Sequence, residues 1–371
     1  MTAINAIDFT VQINKLHHLQ IVEKVYSEEL APNQVLLEID RFSFTSNNIT
    51  YGVVGEQLDY WKFFPTHSGF GIIPAWGLAN VVASKHPDIQ VGQRFYGYYP
   101  MSTHLLVTAK TSKKQGFWDV TEHRNSLPAI YNFYTDTAQD SSYTPETENL
   151  ISIFRPLFVT SFLIDDFLAE ENFYEATQIL ITSASSKTAL ALVSLLANRK
   201  QKETLNLNLV GLTSKKNIGF VSKLAVYDQI LSYEHLADIR EFEKTVIIDF
   251  TGNHNLQYQL QRLLGNNLIY NCLVGLVDWQ NQAGEKELPT KGEFFFAPTQ
   301  AEIRQKVWGP TEFQQRLGRA WQFFINNIQQ IISIKEYIGP ESLKVLYLDM
   351  LEGKVNPEHG NIVRLSSSSR I

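Results

Sequence analysis

Thr177-Gln178-Ile179-Leu180-Ile181-Thr182-Ser183-Ala184-Ser185-Ser186-Lys187-Thr188-Ala189-Leu190-Ala191-Leu192 reads as a buried strand, a small polar turn and the start of a helix. The turn is built from Ser, Ala, Lys and Thr, with no glycine in it. A helix start presents free N–H groups and the positive end of the helix dipole, so small residues before it leave room for an anion. The hydroxyls of Ser185, Ser186 and Thr188 can donate to such an anion, Lys187 adds a positive charge, and Ser183 opens the turn. The same residues also describe a serine-capped helix behind a core strand, with Lys187 in solvent.

Downstream of this junction, strand-like and helix-like runs alternate over 178–182, 189–197, 205–211, 217–224, 229–232, 246–250, 256–264 and 268–274. Alternation of that kind predicts βαβ units and a parallel sheet. A helix is expected over 157–168 before it. A β-run over 293–297 follows it, leading into one amphipathic segment from 299 to about 330, which Trp308-Gly309-Pro310 interrupts. Upstream, short β-type runs at 35–39, 79–83, 93–98 and 103–107 predict an all-β unit with little helix. The polar stretch 111–150, with Lys113-Lys114 and Ser141-Ser142-Tyr143-Thr144-Pro145, reads as a linker or excursion loop. A short helix and a strand at 361–365 close the chain. The expected domains are therefore 1–150 with 330–371, and 151–329.

With 371 residues, 44% hydrophobic and 19% charged, the chain reads as globular and long enough for two domains. A net charge of −6, with no basic cluster interleaved with aromatics, argues against a nucleic-acid partner. The single cysteine, Cys272, rules out an intramolecular disulfide and sits in the strand-like Leu268-Ile269-Tyr270-Asn271-Cys272-Leu273-Val274. Met1 to Thr10 lacks a signal-peptide pattern, and no apolar run is long enough to span a bilayer, so a cytoplasmic protein is expected. No Ser-His-Asp, Cys-His or paired-carboxylate constellation stands out.

Three short segments carry a resemblance. They are Pro32-Asn33-Gln34-Val35-Leu36-Leu37-Glu38-Ile39, Pro74-Ala75-Trp76-Gly77-Leu78-Ala79-Asn80-Val81-Val82 and Val91-Gly92-Gln93-Arg94-Phe95. In order and spacing they resemble the medium-chain dehydrogenase/reductase superfamily, nearest its zinc-free, zeta-crystallin-like quinone and enoyl reductases, in a divergent branch. The resemblance implies an α/β protein with a GroES-like β-rich domain and a Rossmann-type parallel-sheet domain, and a homodimer. Zinc-dependent members carry Cys where Thr45 stands and His-Glu where Trp76-Gly77 stand. A catalytic zinc needs about three protein ligands, so no metal is expected here.

On the superfamily's glycine-rich pattern, Ser183 to Ala189 falls at the pyrophosphate turn, which implies cofactor contacts from Ser183, Ser185, Ser186, Lys187 and Thr188. The turn after the next strand, Gly211-Leu212-Thr213-Ser214-Lys215-Lys216-Asn217, lacks the acid that would accept from a ribose 2′-hydroxyl. Thr213, Ser214 and Lys215 suit a 2′-phosphate instead, so NADPH is expected over NADH. Asp249-Phe250-Thr251-Gly252 resembles the superfamily's Asp-x-x-Gly turn near the nicotinamide ribose, which adds Asp249 and Gly252.

For the chemistry, the matching region is Thr45-Ser46-Asn47-Asn48-Ile49-Thr50-Tyr51. Thr45, Asn48 and Tyr51 are the candidates to hydrogen-bond a carbonyl or enolate oxygen, with Tyr51 as proton source; the bland alternative is a packed Tyr51 and a helix cap from Asn47-Asn48. Trp76, Phe63, Phe64 and Tyr134 are candidates for an apolar substrate wall. The expected activity is reduction of a quinone, enone or enoyl thioester. The alternative is a non-catalytic nucleotide- or partner-binding protein on a dehydrogenase fold, which the missing glycines favour.

Overall fold

Two units make up the chain, Met1–Ile153 with Ser333–Ile371, and Phe154–Ile332. The computed structural model describes residues 3–27, 29–112, 115–275 and 292–366. In the first unit, β1 (Ala3–Gln12) and β2 (Lys15–Ser27) form an antiparallel hairpin. The chain continues through β3 (Gln34–Ser43), α1 (Ser46–Val53), β4 (Phe70–Gly71), β5 (Pro74–Ser84), β6 (Arg94–Pro100), β7 (His104–Ser112), β8 (Gly116–Asp119) and β9 (Phe133–Asp136). The order β3-β5-β6-β9-β8-β7, with β7 pairing back onto β3, closes a ring of antiparallel strands. Closure gives each strand of the ring a neighbour on both sides over part of its length, and the Phe42–Ser43 end of β3 is left for a later strand.

Inward-facing Val35, Leu37, Ile39, Ala75, Ala79, Val81, Phe95, Val107 and Phe117 fill the core. Gly77 permits the close approach of β5 to β3, since a Cβ there would lie 2.1 Å from the Arg41 carbonyl oxygen. The stretch 111–150 is not a linker. Strands β8 and β9 complete the ring, and 3-10 turns at Glu122–Arg124, Ala129–Tyr131, Thr137–Gln139 and Pro145–Thr147 connect them onward; Lys113-Lys114 lie outside the described residues.

Helix α2 (Glu148–Glu170) begins in the first unit and carries the chain into the second. There follow β10 (Gln178–Ile181), α3 (Lys187–Glu203), β11 (Asn208–Thr213), α4 (Ile218–Ser222), β12 (Gln229–Ser232), β13 (Thr245–Asp249), α5 (His254–Leu264), β14 (Leu268–Leu273) and β15 (Glu293–Phe294). All pairings in this sheet are parallel, in the order β12-β11-β10-β13-β14-β15. Counted along the chain that order is 3-2-1-4-5-6, the doubly wound Rossmann arrangement. Ile179, Leu180 and Ile181 are wholly buried, as a central parallel strand covered on both faces requires.

The run at 293–297 is shorter as a strand than its composition predicts, because Ala297-Pro298 starts a helix. The amphipathic segment beyond is two helices, α6 (Ala297–Trp308) and α7 (Pro310–Ile328), parted at Gly309 with φ 82°. Phe313, Trp321, Phe324, Ile325 and Ile328 form the buried stripe of α7, and Phe158 of α2 meets Trp321 with ring centroids 5.2 Å apart.

The chain then returns to the first unit as β16 (Ser333–Ile338), α8 (Pro340–Leu351) and β17 (His359–Arg364). Strand β17 pairs antiparallel with β3 and parallel with β16. A buried ionic knot holds this return: Arg94 bridges Asp40 and Glu148 at 2.6 Å each, and Arg364 reaches Asp40 at 3.1 Å. In the second unit, Asn172, Phe173, Tyr174 and Glu175 run consecutively in the left-handed region, with φ of 49°, 51°, 54° and 56°. Among the described residues no helix is long and apolar enough to cross a membrane.

Candidate functional site

In a doubly wound sheet the ligand crevice lies outside the carboxyl ends of the strands where the order reverses. Here that is the end of β10 beside β13. Ser183 takes φ 50°, the left-handed geometry that a glycine adopts without strain, and its N–H donates to the Tyr233 hydroxyl at 3.0 Å. Ala184 N–H is tied to Leu212 O at 2.9 Å, which pins the turn to the next strand. Ser186 is the N-cap of α3, its hydroxyl oxygen accepting from Ala189 N–H at 3.3 Å. That side chain is therefore turned back onto its own helix.

Lys187 and Thr188 are the first two helical residues. Lys187 is half-buried rather than in solvent, and desolvation of its ammonium pushes its pKa down to about 7. The Thr188 carbonyl accepts from Ser161 on α2 at 2.8 Å.

Around the second turn the hydroxyls interlock. Thr213 donates to Ser185 Oγ at 3.2 Å, and Asn217 Nδ2 donates to the same atom at 3.1 Å. Ser214 Oγ is buried without a hydrogen-bond partner, and Lys215 and Lys216 are exposed. Asn217 was not among the sequence candidates; it stands one turn beyond Ser214, and its polarity at that spacing is the only signal the sequence offers. At the neighbouring strand end, buried Asp249 accepts from Thr182 at 2.5 Å, from Thr251 Oγ1 at 2.7 Å and from Gly252 N–H at 3.2 Å. Gly252 takes φ 62° to make that turn. Asp249 thus laces two loops together.

This donor set fits a phosphorylated dinucleotide: a helix N-terminus behind small residues, a lysine at its first position, a buried orphan hydroxyl and two exposed lysines at the acid-free turn. The residues that would hold it are Ser183 to Thr188 for the pyrophosphate and Thr213 to Lys215 for the adenosine side.

In the first unit, Thr45 and Asn48 are joined to each other. Asn48 Oδ1 accepts from Thr45 N–H at 2.8 Å and from the Thr45 hydroxyl at 3.2 Å, while Asn48 Nδ2 donates to Pro74 O at 2.8 Å. They cap α1 and anchor it to β5. Tyr51, on α1, packs against Tyr60 at 4.4 Å between ring centroids and edge-on to Tyr98 at 5.8 Å. Burial raises its pKa, against which polar approaches from Trp76, Asn47 and Tyr98 act. Phe63 and Tyr134 are wholly buried and Phe64 nearly so, which makes them core and not an exposed substrate wall. Trp76 stacks on Tyr96 at 5.5 Å. Among the described residues, no group of three or more His, Cys, Asp or Glu side chains is placed to hold a metal ion.

A family model described as "Protein of unknown function (DUF2855)" matches residues 42–356. The chain belongs to the DUF2855 family. No curated protein matches this DUF2855 chain. Among solved structures it is similar to CurA from Vibrio vulnificus in complex with NADPH, at 13% identity and TM-score 0.58, covering 99% of this chain and 100% of that one. It is likewise similar to the yhdH oxidoreductase of Salmonella enterica in complex with NADP, at 12% identity and TM-score 0.53 over 98% and 100% of the two chains. A third similar structure is the CurK enoyl reductase, at 14% identity and TM-score 0.52 over 97% and 99%. At these identities the likeness is one of fold: the DUF2855 chain has the GroES-like and Rossmann-type architecture of the medium-chain dehydrogenase/reductases.

Proposed function

We propose that this protein is an NADPH-dependent, zinc-independent oxidoreductase that reduces an activated C=C or C=O bond in a small apolar molecule such as a quinone, enone or enoyl thioester. The observation that carries the reading is the β10–α3 turn at the switch point of a 3-2-1-4-5-6 sheet, with left-handed Ser183 in place of glycine and no acid in the turn after β11. NADPH, when bound, supplies hydride. The chain's own part is to hold its phosphates through Ser183, Ser185, Ser186, Lys187 and Thr188, and its 2′-phosphate through Thr213, Ser214 and Lys215. Asp249 and Gly252 shape the loop beside the nicotinamide ribose. Similar structures that contain NADP or NADPH support the choice of cofactor.

The Rossmann-type unit serves as the dinucleotide domain and the β-rich unit as the catalytic one. Tyr51 gives a proton to the substrate oxygen, with Thr45 and Asn48 fixing the helix that carries it. The short strand β15, at the edge of the sheet among the described residues, offers a surface for a homodimer, with its own Phe294 exposed.

Calorimetric titration with NADPH and NADP+ tests the reading first, and absence of binding by either at millimolar concentration overturns it. NADPH oxidation is then screened against quinones, enones and enoyl thioesters. A second reading, a nucleotide- or partner-binding protein without hydride transfer, is favoured by the absence of glycine from the β10–α3 turn. Binding of NADPH with no acceptor reduced in that screen would select it.

A further inference from the structure

Among the described residues, the β-rich unit contains buried polar atoms that make no hydrogen bond, and two of them lie together: Trp76 Nε1 on β5 and the Tyr98 hydroxyl on β6. Buried donors are nearly always paired, so two orphans side by side call for a reason. Tyr98 is wholly buried, with its ring 4.9 Å from Trp76 and 5.8 Å from Tyr51 between centroids. Tyr98 thus joins Trp76 and Tyr51 in one packed cluster, and the influence of Trp76, Asn47 and Tyr98 on Tyr51 favours its ionised form. Neither Trp76 Nε1 nor the Tyr98 hydroxyl has a hydrogen-bond partner of its own. The cluster therefore sets two unpartnered donors among the same rings as the Tyr51 phenol.

The rigid surround fits such a role. Trp76 stacks flat on Tyr96, with 16° between the planes, and Tyr98 lies against Tyr131 at 4.7 Å. Tyr131 in turn meets the Tyr60 hydroxyl at 3.3 Å through its own hydroxyl. These contacts fix both donors on strands, where a site is held more firmly than on a loop.

We propose that Trp76 and Tyr98 are positioning residues for Tyr51: the Trp76 indole N–H and the Tyr98 hydroxyl close onto the Tyr51 oxygen as acceptor, leaving the Tyr51 proton for a substrate oxygen. When Tyr51 gives up that proton, its O–H bond breaks, a new O–H bond forms on the substrate, and the phenolate left behind is held by the same two donors until water returns a proton. This rests on the role given to Tyr51 above, and the test separates the two.

In full-length protein with 15N-labelled indoles, the Trp76 cross-peak is the one lost in Trp76→Phe. It shifts upfield in Tyr51→Phe, and the peaks of the other tryptophans stay in place. An unmoved Trp76 peak overturns the inference whatever the activity, since this readout needs neither cofactor nor turnover. In NADPH oxidation with 1,4-benzoquinone or 2-cyclohexenone, Tyr51→Phe lowers kcat about a hundredfold, as for loss of a general acid. Trp76→Phe lowers it about tenfold, as for loss of one hydrogen bond to a charged group. In both, the KM for NADPH and the melting temperature are unchanged, and the double variant is no slower than Tyr51→Phe alone. Full activity in Trp76→Phe with Tyr51→Phe inactive overturns the positioning role and leaves Tyr51 standing. Full activity in Tyr51→Phe overturns the role of Tyr51 itself.

Discussion

Ser183 and Lys187 show how far single residues can depart from a pattern while keeping its geometry. Ser183 accepts the left-handed backbone that glycine takes freely, and the hydrogen bond to Tyr233 helps hold it there. Lys187 stands at the first position of α3 with its pKa pushed down to about 7, so near neutral pH it is part neutral and part charged. A lysine whose folded pKa lies below its unfolded value binds fewer protons folded than unfolded between about 7 and the ordinary value of 10.5. Stability is therefore expected to rise with pH across that window, and Lys187→Met to remove the rise, as read by urea melts at several pH values. A flat profile in the unmodified protein would contradict it. NADPH affinity should run the opposite way, weakening as pH climbs through 7 and losing that dependence in Lys187→Met, measured by calorimetry. At the second turn, Ser214→Asp sets a carboxylate at the buried orphan hydroxyl. It should shift the preference from NADPH toward NADH by about tenfold or more, the scale of one charged contact; an unaltered ratio of dissociation constants would remove Ser214 from the 2′-phosphate site.

At the scale of elements, the β10–α3 junction was legible because the strand is a run of buried apolar residues and the helix opens on a serine cap. Strands β8 and β9 were not, being four residues each and set among 3-10 turns in a polar stretch. Their pairing partners are supplied by the ring, and no local pattern in 111–150 carries that information. The site divides the same way. Serines at a helix start announce themselves, whereas Trp76, Tyr98 and Tyr51 meet only because β5, β6 and α1 are adjacent in space. The left-handed stretch Asn172–Glu175 also escaped the sequence, since none of its residues is glycine. Exposed Glu175 has φ 56°, and Glu175→Gly should stabilise the protein by up to about 1 kcal/mol by relieving that conformation. Loss of stability in a denaturant titration would show that the turn is not strained there.

For the molecule as a whole, the knot of Asp40, Arg94, Glu148 and Arg364 draws together four distant parts of the chain. Although burial opposes it, the arginines hold the Asp40 and Glu148 carboxyls below their usual range. Carboxyls with depressed folded pKa values contribute stability above their unfolded values, and it is lost as pH falls through the folded ones. Acid unfolding is thus expected to set in below about pH 4, with Arg94→Met losing on the order of 3–5 kcal/mol at neutral pH because two buried carboxylates are left without their shared partner. Chemical denaturation of that variant checks it, and a loss under about 1 kcal/mol would mean that Arg41 and Arg364 suffice.

The return of β17 to β3 has a consequence for how the protein is made. Asn361 Nδ2 reaches the Phe44 carbonyl oxygen at 3.3 Å across 317 residues of chain. During synthesis the ring β3-β5-β6-β9-β8-β7 can close early, but the Phe42–Ser43 end of β3 waits for β17 while everything between is translated, and the Rossmann-type unit has all its described strands outside the ribosome before that pairing forms. The β-rich unit is then the later one to be completed, and a ribosome that pauses before β17 leaves the Phe42–Ser43 end of β3 without that partner, a short open edge that a chaperone would meet.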